Sequence, residues 1–136
     1  MEAIIMIGIP GSGKSHYCHE HFEDTHLRLN LDSLGRRSRE RIILEAAVKA
    51  KVNIVIDNTN ITLEHRQKYM PLFKENGYKI IAYYFEPHLD LALWRNGNRK
   101  RNVPIKAIKQ YHKDIVEPDY SEGFDEIRRV GFKEWS

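Results

Sequence analysis

Disulfide pairs, long apolar runs and low-complexity tracts are all missing from this sequence. Cys18 is the only cysteine, which excludes an internal disulfide and a four-cysteine zinc site. A reducing intracellular setting, the cytoplasm (host cytoplasm for a viral chain), is therefore expected. No apolar stretch is longer than the six residues "IIAYYF" at 80–85, far short of a transmembrane helix, so no membrane partner is expected. The first residues carry no basic leader, and their apolar run enters a glycine loop where a signal peptide would have a small-residue cleavage site. Repeats and interdomain linkers are absent as well. Neither sign of charge dominates, the net charge being +3. What remains is an ordinary composition, 41% hydrophobic and 30% charged over 136 residues. That is the size of one domain, spanning 1–136, with one hydrophobic core.

The charge is uneven in its distribution. From Arg95 to Lys113 there are seven Lys or Arg residues and no Asp or Glu, and five arginines lie between Arg28 and Arg41. Two basic clusters on a nearly neutral chain suggest a polyanionic ligand, although a solvated helix face has the same composition.

A continuous apolar run bounded by Gly and Pro predicts a buried strand at "EAIIMIGI" (2–9), β-branched content predicts another at "VNIVID" (52–57), and "YKIIAYYFE" (78–86), followed by Pro87, is a third. "LRLNL" (27–31) alternates like a short strand, and "GFDEIRRVGF" (123–132) is a candidate edge strand. Helical patterns fall between them: Lys14 to about Phe22, 38–50, 62–77, Leu89 to Arg95, and 103–116. In 38–50 the buried face is expected at Ile42, Ile43, Ala46, Ala47 and Ala50. In 62–77, Thr62 opens an imperfect capping box and Pro71 implies a kink. Strands alternating with such helices indicate an α/β fold with a largely parallel sheet.

Chemistry concentrates in four places. "GIPGSGKSH" (8–16) fits G-x-x-x-x-G-K-[ST] between a buried strand and a helix, the setting in which that pattern cradles phosphates. Gly8, Gly11 and Gly13 would permit unusual torsions and close backbone approach, Lys14 would bridge the β- and γ-phosphates, and Ser15 would ligate Mg²⁺. Asp57, at the carboxyl end of "IVID", is either a carboxylate placed to hold Mg²⁺ through water or a cap for the loop that follows. Asn58, Thr59 and Asn60 follow it, suited to turn chemistry and to substrate positioning alike. Asp32, just past the second strand, is either a general base toward a hydroxyl or, with Ser33, part of a helix N-cap. In "WRNGNRKRNVP", Arg95, Arg99 and Arg101 lie on a segment with lid character, about 95–103, and could stabilise charge on a transferring phosphoryl group. His16, His19 and His21 are expected to be exposed helix residues, Cys18 to be buried, and Tyr83, Tyr84 and Phe85 to pack. Trp94 suits an adenine or the core.

These markers together resemble a known group. "IGIPGSGKS", "NLDSLGR", "VIDNTN", "EHRQKY", "WRNGNRKRNVP" and "EPDYSEGFDEI", in that order over about residues 3–132, are similar to the P-loop kinase module of 5′-polynucleotide kinases. That family includes the kinase domain of phage and animal polynucleotide kinase/phosphatases. The resemblance implies a P-loop kinase-type three-layer sandwich with a helical lid. It also implies ATP or another NTP as donor with Mg²⁺, and nucleic-acid 5′-OH ends, DNA or RNA, as acceptor. By the same carry-over Asp32 matches the general base, Lys14 and Ser15 the triphosphate and metal ligands, and Arg99, with Arg95, the lid arginines. The nucleotide side then comprises Gly8, Pro10, Gly11, Ser12, Gly13, Lys14, Ser15 and His16 with the lid arginines. The acceptor side comprises Asp32, Asn58, Thr59 and Arg66. Gly35 stands where the family places an arginine for the acceptor's 3′-phosphate, so Arg36 or Arg37 would serve instead. The chain lacks the D-x-D-x-[TV] phosphatase signature, so no 3′-phosphatase activity is expected of it. The alternatives are a small-molecule or nucleoside kinase on this scaffold and a non-catalytic nucleotide-binding module.

Overall fold

The computed structural model describes residues 1–99 and 102–131. Five parallel strands form one sheet in the order β2-β3-β1-β4-β5: β1 (Glu2–Ile7), β2 (Leu27–Leu29), β3 (Ile54–Ile56), β4 (Lys79–Phe85) and β5 (Glu126–Val130). β1 lies in the middle because its run "AIIMI" has no polar residue to give water, and Ala3 to Ile7 are all fully buried. β5 occupies an edge and leaves Arg128 and Arg129 exposed, as the expected edge strand requires.

Alternation within the strands sends side chains to two helical layers. Ala3, Ile5 and Ile7 of β1 and Ile80, Ala82 and Tyr84 of β4 face α3 (Arg37–Lys49) and α5 (Met70–Glu75), meeting Leu44, Val48 and Phe73. Ile4, Met6, Ile81, Tyr83 and Phe85 face α1 (Lys14–His21) and pack on Cys18 and Phe22. Burial pushes the Cys18 thiol up to about 12, so it is an inert core group. A third cluster at the carboxyl end of the sheet joins Ile9 to Ala92 of α6 (Leu89–Gly97) and Ile108 of α7 (Ile105–Asp114). This α/β three-layer arrangement is the one expected, and among the described residues no helix is long and apolar enough to cross a membrane.

Two local expectations change. The 62–77 region does not form a kinked helix but two short ones, α4 (Leu63–Gln67) and α5, with Pro71 in the first turn of the second, where its missing N–H costs nothing. Thr62 does cap α4, its hydroxyl accepting from the His65 N–H at 3.2 Å. α3 buries Glu40, Leu44, Ala47 and Val48, whereas Ile42 is 69% exposed. Its inward face is rotated because Glu40 turns in to meet Tyr69, whose hydroxyl donates to the carboxylate at 2.8 Å. Arg101, counted with the lid arginines, lies outside the described residues.

Candidate active site

A cavity of about 770 Å³ opens at the carboxyl ends of the strands, beside the central strand where the chain's order across the sheet reverses. The loop 8–13 forms one wall. Gly11 has φ +83°, and a Cβ there would lie 2.6 Å from the Ala92 carbonyl of α6. Gly8 has no special torsion and is required for space: a Cβ would sit 2.7 Å from Ser12 Oγ and 3.0 Å from Phe85 Cβ. Gly13 caps α1 in the left-handed region, leaving the first helical N–H groups directed at the cavity. Pro10, Gly11, Gly13, Lys14, Ser15 and His16 line it, while Gly8 and Ser12 are buried behind. His16 is largely exposed and pairs with Glu20 at 3.1 Å.

Lys14 Nζ donates to the Ile9 carbonyl at 3.0 Å and to Ser12 Oγ at 3.4 Å. Burial lowers its pKa to about 8, opposed by Asp57 and Asp32 and reinforced by Arg99. The ammonium therefore sits in a site where a further anion would be welcome. Ser15 Oγ donates to Asp57 Oδ2 at 3.2 Å. Asp57 is 1% exposed, and its other oxygen, Oδ1, is buried without a protein partner among the described residues. A hydroxyl next to a carboxylate with one unused buried oxygen fits a hard cation such as Mg²⁺.

Opposite the loop, α2 (Leu31–Leu34) carries Asp32 in its first turn. Asn30 is the cap: its Oδ1 accepts from the Ser33 N–H at 3.1 Å and its Nδ2 donates to the Asp57 carbonyl at 2.6 Å. Asp32 is thus not needed as a cap and stands exposed on the cavity wall. Asn58 also lines the cavity, but its amide is used structurally, accepting from Leu31 N–H at 2.9 Å and donating to Glu40 at 2.8 Å. It ties the Asp32 turn to α3. Thr59 lines the cavity and accepts the Gly8 N–H at 3.0 Å through its carbonyl. Asn60, buried with φ +47°, anchors the same turn to Met6.

The basic residues divide. Arg95 and Arg99 line the cavity from α6 and the turn after it, beside the exposed Trp94. Buried Asn96 clasps the backbone of Val103, accepting at 2.7 Å and donating at 2.6 Å. Of the arginines between 28 and 41, Arg37 lines the cavity and Arg36 does not. Arg41 pairs with Glu45 and Arg39 bonds the Leu34 carbonyl, so this cluster does not form one anion-binding patch. Arg66 is a correction. It is 0% exposed and binds both oxygens of Glu122, at 2.7 and 2.9 Å, as well as the carbonyls of Asn60 and Val116. Four of its five guanidinium N–H groups are used within the fold, and it does not line the cavity.

One contact was missed by sequence reasoning. Arg28 donates through Nε to Asp57 Oδ2 at 2.7 Å and through a terminal nitrogen to Ser15 Oγ at 3.3 Å. The strand alternation in "LRLNL" held the signal: Leu29 faces α3, so Arg28 must face α1.

A protein-family model described as an AAA domain matches residues 4–118. A protein of Acanthamoeba polyphaga mimivirus, named as a bifunctional polynucleotide phosphatase/kinase, is 34% identical over 140 residues, covering 96% of this chain and 33% of its own. The bifunctional polynucleotide phosphatase/kinase of Schizosaccharomyces pombe is 28% identical over 138 residues, covering 97% and 34%. The chain thus spans about a third of the length of these curated relatives. Chaetomium thermophilum Kti12 in complex with ADP-AlF3 superposes with a TM-score of 0.71 at 15% identity, over 98% of this chain and 94% of that one. A gluconokinase from Sinorhizobium meliloti gives 0.64 at 16% identity, over 98% and 86%. The resemblance read from the motifs is borne out: the chain belongs to the AAA-domain family, with the α/β fold of a P-loop kinase.

Proposed function

We propose that this chain is the kinase module of an ATP-dependent polynucleotide 5′-hydroxyl kinase. The observation that carries the reading is the placement of Asp32 on the cavity wall facing Lys14, with the helix cap supplied by Asn30. Asp32 and Lys14 interact electrostatically across the cavity. In the proposed reaction the acceptor hydroxyl gives its proton to the Asp32 carboxylate. Its oxygen bonds to the γ-phosphorus, and the bond to the β,γ-bridging oxygen breaks with its electron pair leaving on the nucleoside diphosphate. Lys14 and the loop N–H groups hold the donor phosphates, and Arg99 and Arg95 offset charge on the transferring group. Mg²⁺, bound by Ser15 and through water by Asp57, would supply neutralising charge at the phosphate oxygens.

The polynucleotide acceptor is supported by the names of the two relatives and by Arg37 on the acceptor wall. A second reading, a small-molecule kinase, is favoured by one observation: most arginines of the 28–41 cluster are engaged elsewhere. Incubation with γ-labelled ATP, Mg²⁺ and a panel of 5′-OH oligodeoxynucleotides, oligoribonucleotides, nucleosides and 3′-nucleotides separates the two. Label is expected on the oligonucleotides, and Asp32→Asn should lower that rate about 10²–10⁴-fold while sparing nucleotide binding. Label on no oligonucleotide refutes the leading reading.

A further inference from the structure

The Arg28 guanidinium touches both groups assigned to the metal. Asp57 Oδ2 accepts from Arg28 Nε at 2.7 Å and from Ser15 Oγ at 3.2 Å, and the same Ser15 oxygen accepts from Arg28 at 3.3 Å. One carboxylate oxygen is therefore fully engaged, while Oδ1 is buried and unused among the described residues. Arg28 is only partly exposed, at 28% of its side chain, against 1% for Asp57. The pair is thus screened on the Asp57 side and anchored from β2, and is not a chance surface contact.

We infer that Arg28 is a positioning residue for metal loading, holding Asp57 Oδ2 and Ser15 Oγ so that a divalent cation enters only together with nucleotide phosphates. The inference rests on the proposed assignment of Ser15 and Asp57 as metal residues. A guanidinium 2.7 Å from the carboxylate cancels the charge that would attract a bare cation. Lys14, which also interacts with Asp57, adds to that cancellation. Nucleotide phosphates bring the missing negative charge, and the fixed Oδ2 leaves Oδ1 as the oxygen available to a metal-bound water.

The test measures Mn²⁺ affinity of the full chain by electron paramagnetic resonance near neutral pH, with and without a non-hydrolysable ATP analogue. Without nucleotide the wild type should bind Mn²⁺ weakly. Arg28→Met should tighten that binding about tenfold or more, as expected when a full charge is removed from beside a buried carboxylate. Arg28→Gln, which keeps a hydrogen-bond donor, should do the same, and Arg28→Lys should restore weak binding. With the analogue present, the variants should differ far less. The double variant Arg28→Met/Asp57→Asn should lose the gain. Thermal melting of each variant identifies any that fails to fold, and the Met and Gln variants stand in for one another. Unchanged or weaker nucleotide-free binding in folded Arg28→Met and Arg28→Gln overturns the inference. If instead Asp57→Asn and Ser15→Ala leave Mn²⁺ binding in the nucleotide complex unchanged, the metal assignment itself fails.

Discussion

Removing the Arg66 guanidinium tests whether this residue serves the fold or an acceptor. Its side chain is 0% exposed and that of Glu122 3%. The guanidinium donates four hydrogen bonds: two to the Glu122 carboxylate and one each to the Asn60 and Val116 carbonyls. Arg66→Met leaves a buried carboxylate with its principal partner gone and two buried carbonyls unmatched. Breaking one side of such a pair costs about 3–5 kcal/mol. With an unfolding entropy near 2.1 cal/mol/K per residue over 136 residues, that corresponds to a fall in Tm of about 10–17 °C. Glu122→Leu should cost a similar amount, and the double variant Arg66→Met/Glu122→Leu should recover much of the loss, because no lone buried charge remains. Differential scanning calorimetry of the four proteins completes the cycle. A fall of under about 1 kcal/mol in Arg66→Met, with a raised KM for the acceptor, would refute the structural role.

Two further outcomes follow from the loop. Lys14 has its folded-state pKa lowered from 10.5 to about 8, so between those values the unfolded chain binds more protons and stability rises with pH. Burying the charged form is a penalty present in full below about pH 8. The nucleotide-free protein should therefore gain on the order of 1–3 kcal/mol between pH 8 and 10.5, and Lys14→Met should lack that slope in pH-dependent urea unfolding. A flat wild-type profile over that window would contradict the burial argument. Gly11→Ala forces a side chain into φ +83° and 2.6 Å from the Ala92 carbonyl. The torsion costs about 1–2 kcal/mol, and the contact pushes α6 and its arginines outward. Nucleotide affinity by calorimetry should fall about tenfold or more, and unchanged affinity would show that the loop and α6 are not coupled.

Much of this molecule was legible in its pattern. Continuous apolar runs at 3–7 and 80–85 can be satisfied only between two layers, which sets β1 and β4 inside a parallel sheet. The glycine spacing before Lys14-Ser15 fixes a loop that must approach other backbone closely, as Gly11 does at Ala92. Tertiary structure decided what local sequence leaves open, namely the partners of charged groups. Arg66 and Arg37 are both arginines near acceptor markers, yet one is locked to Glu122, 56 residues away, and the other lines the cavity. The sequence offers Asp32 with Ser33 as a cap, and only the folded chain gives that role to Asn30, whose Oδ1 accepts the Ser33 N–H while its Nδ2 donates to the Asp57 carbonyl. Arg28 meets Asp57 because β2 and β3 pair in parallel, with Arg28 in register with Val55, two residues before Asp57. Periodicity reports which side chains avoid water; it carries no term for a bond between residues thirty positions apart, because that bond exists only once the sheet has set their register.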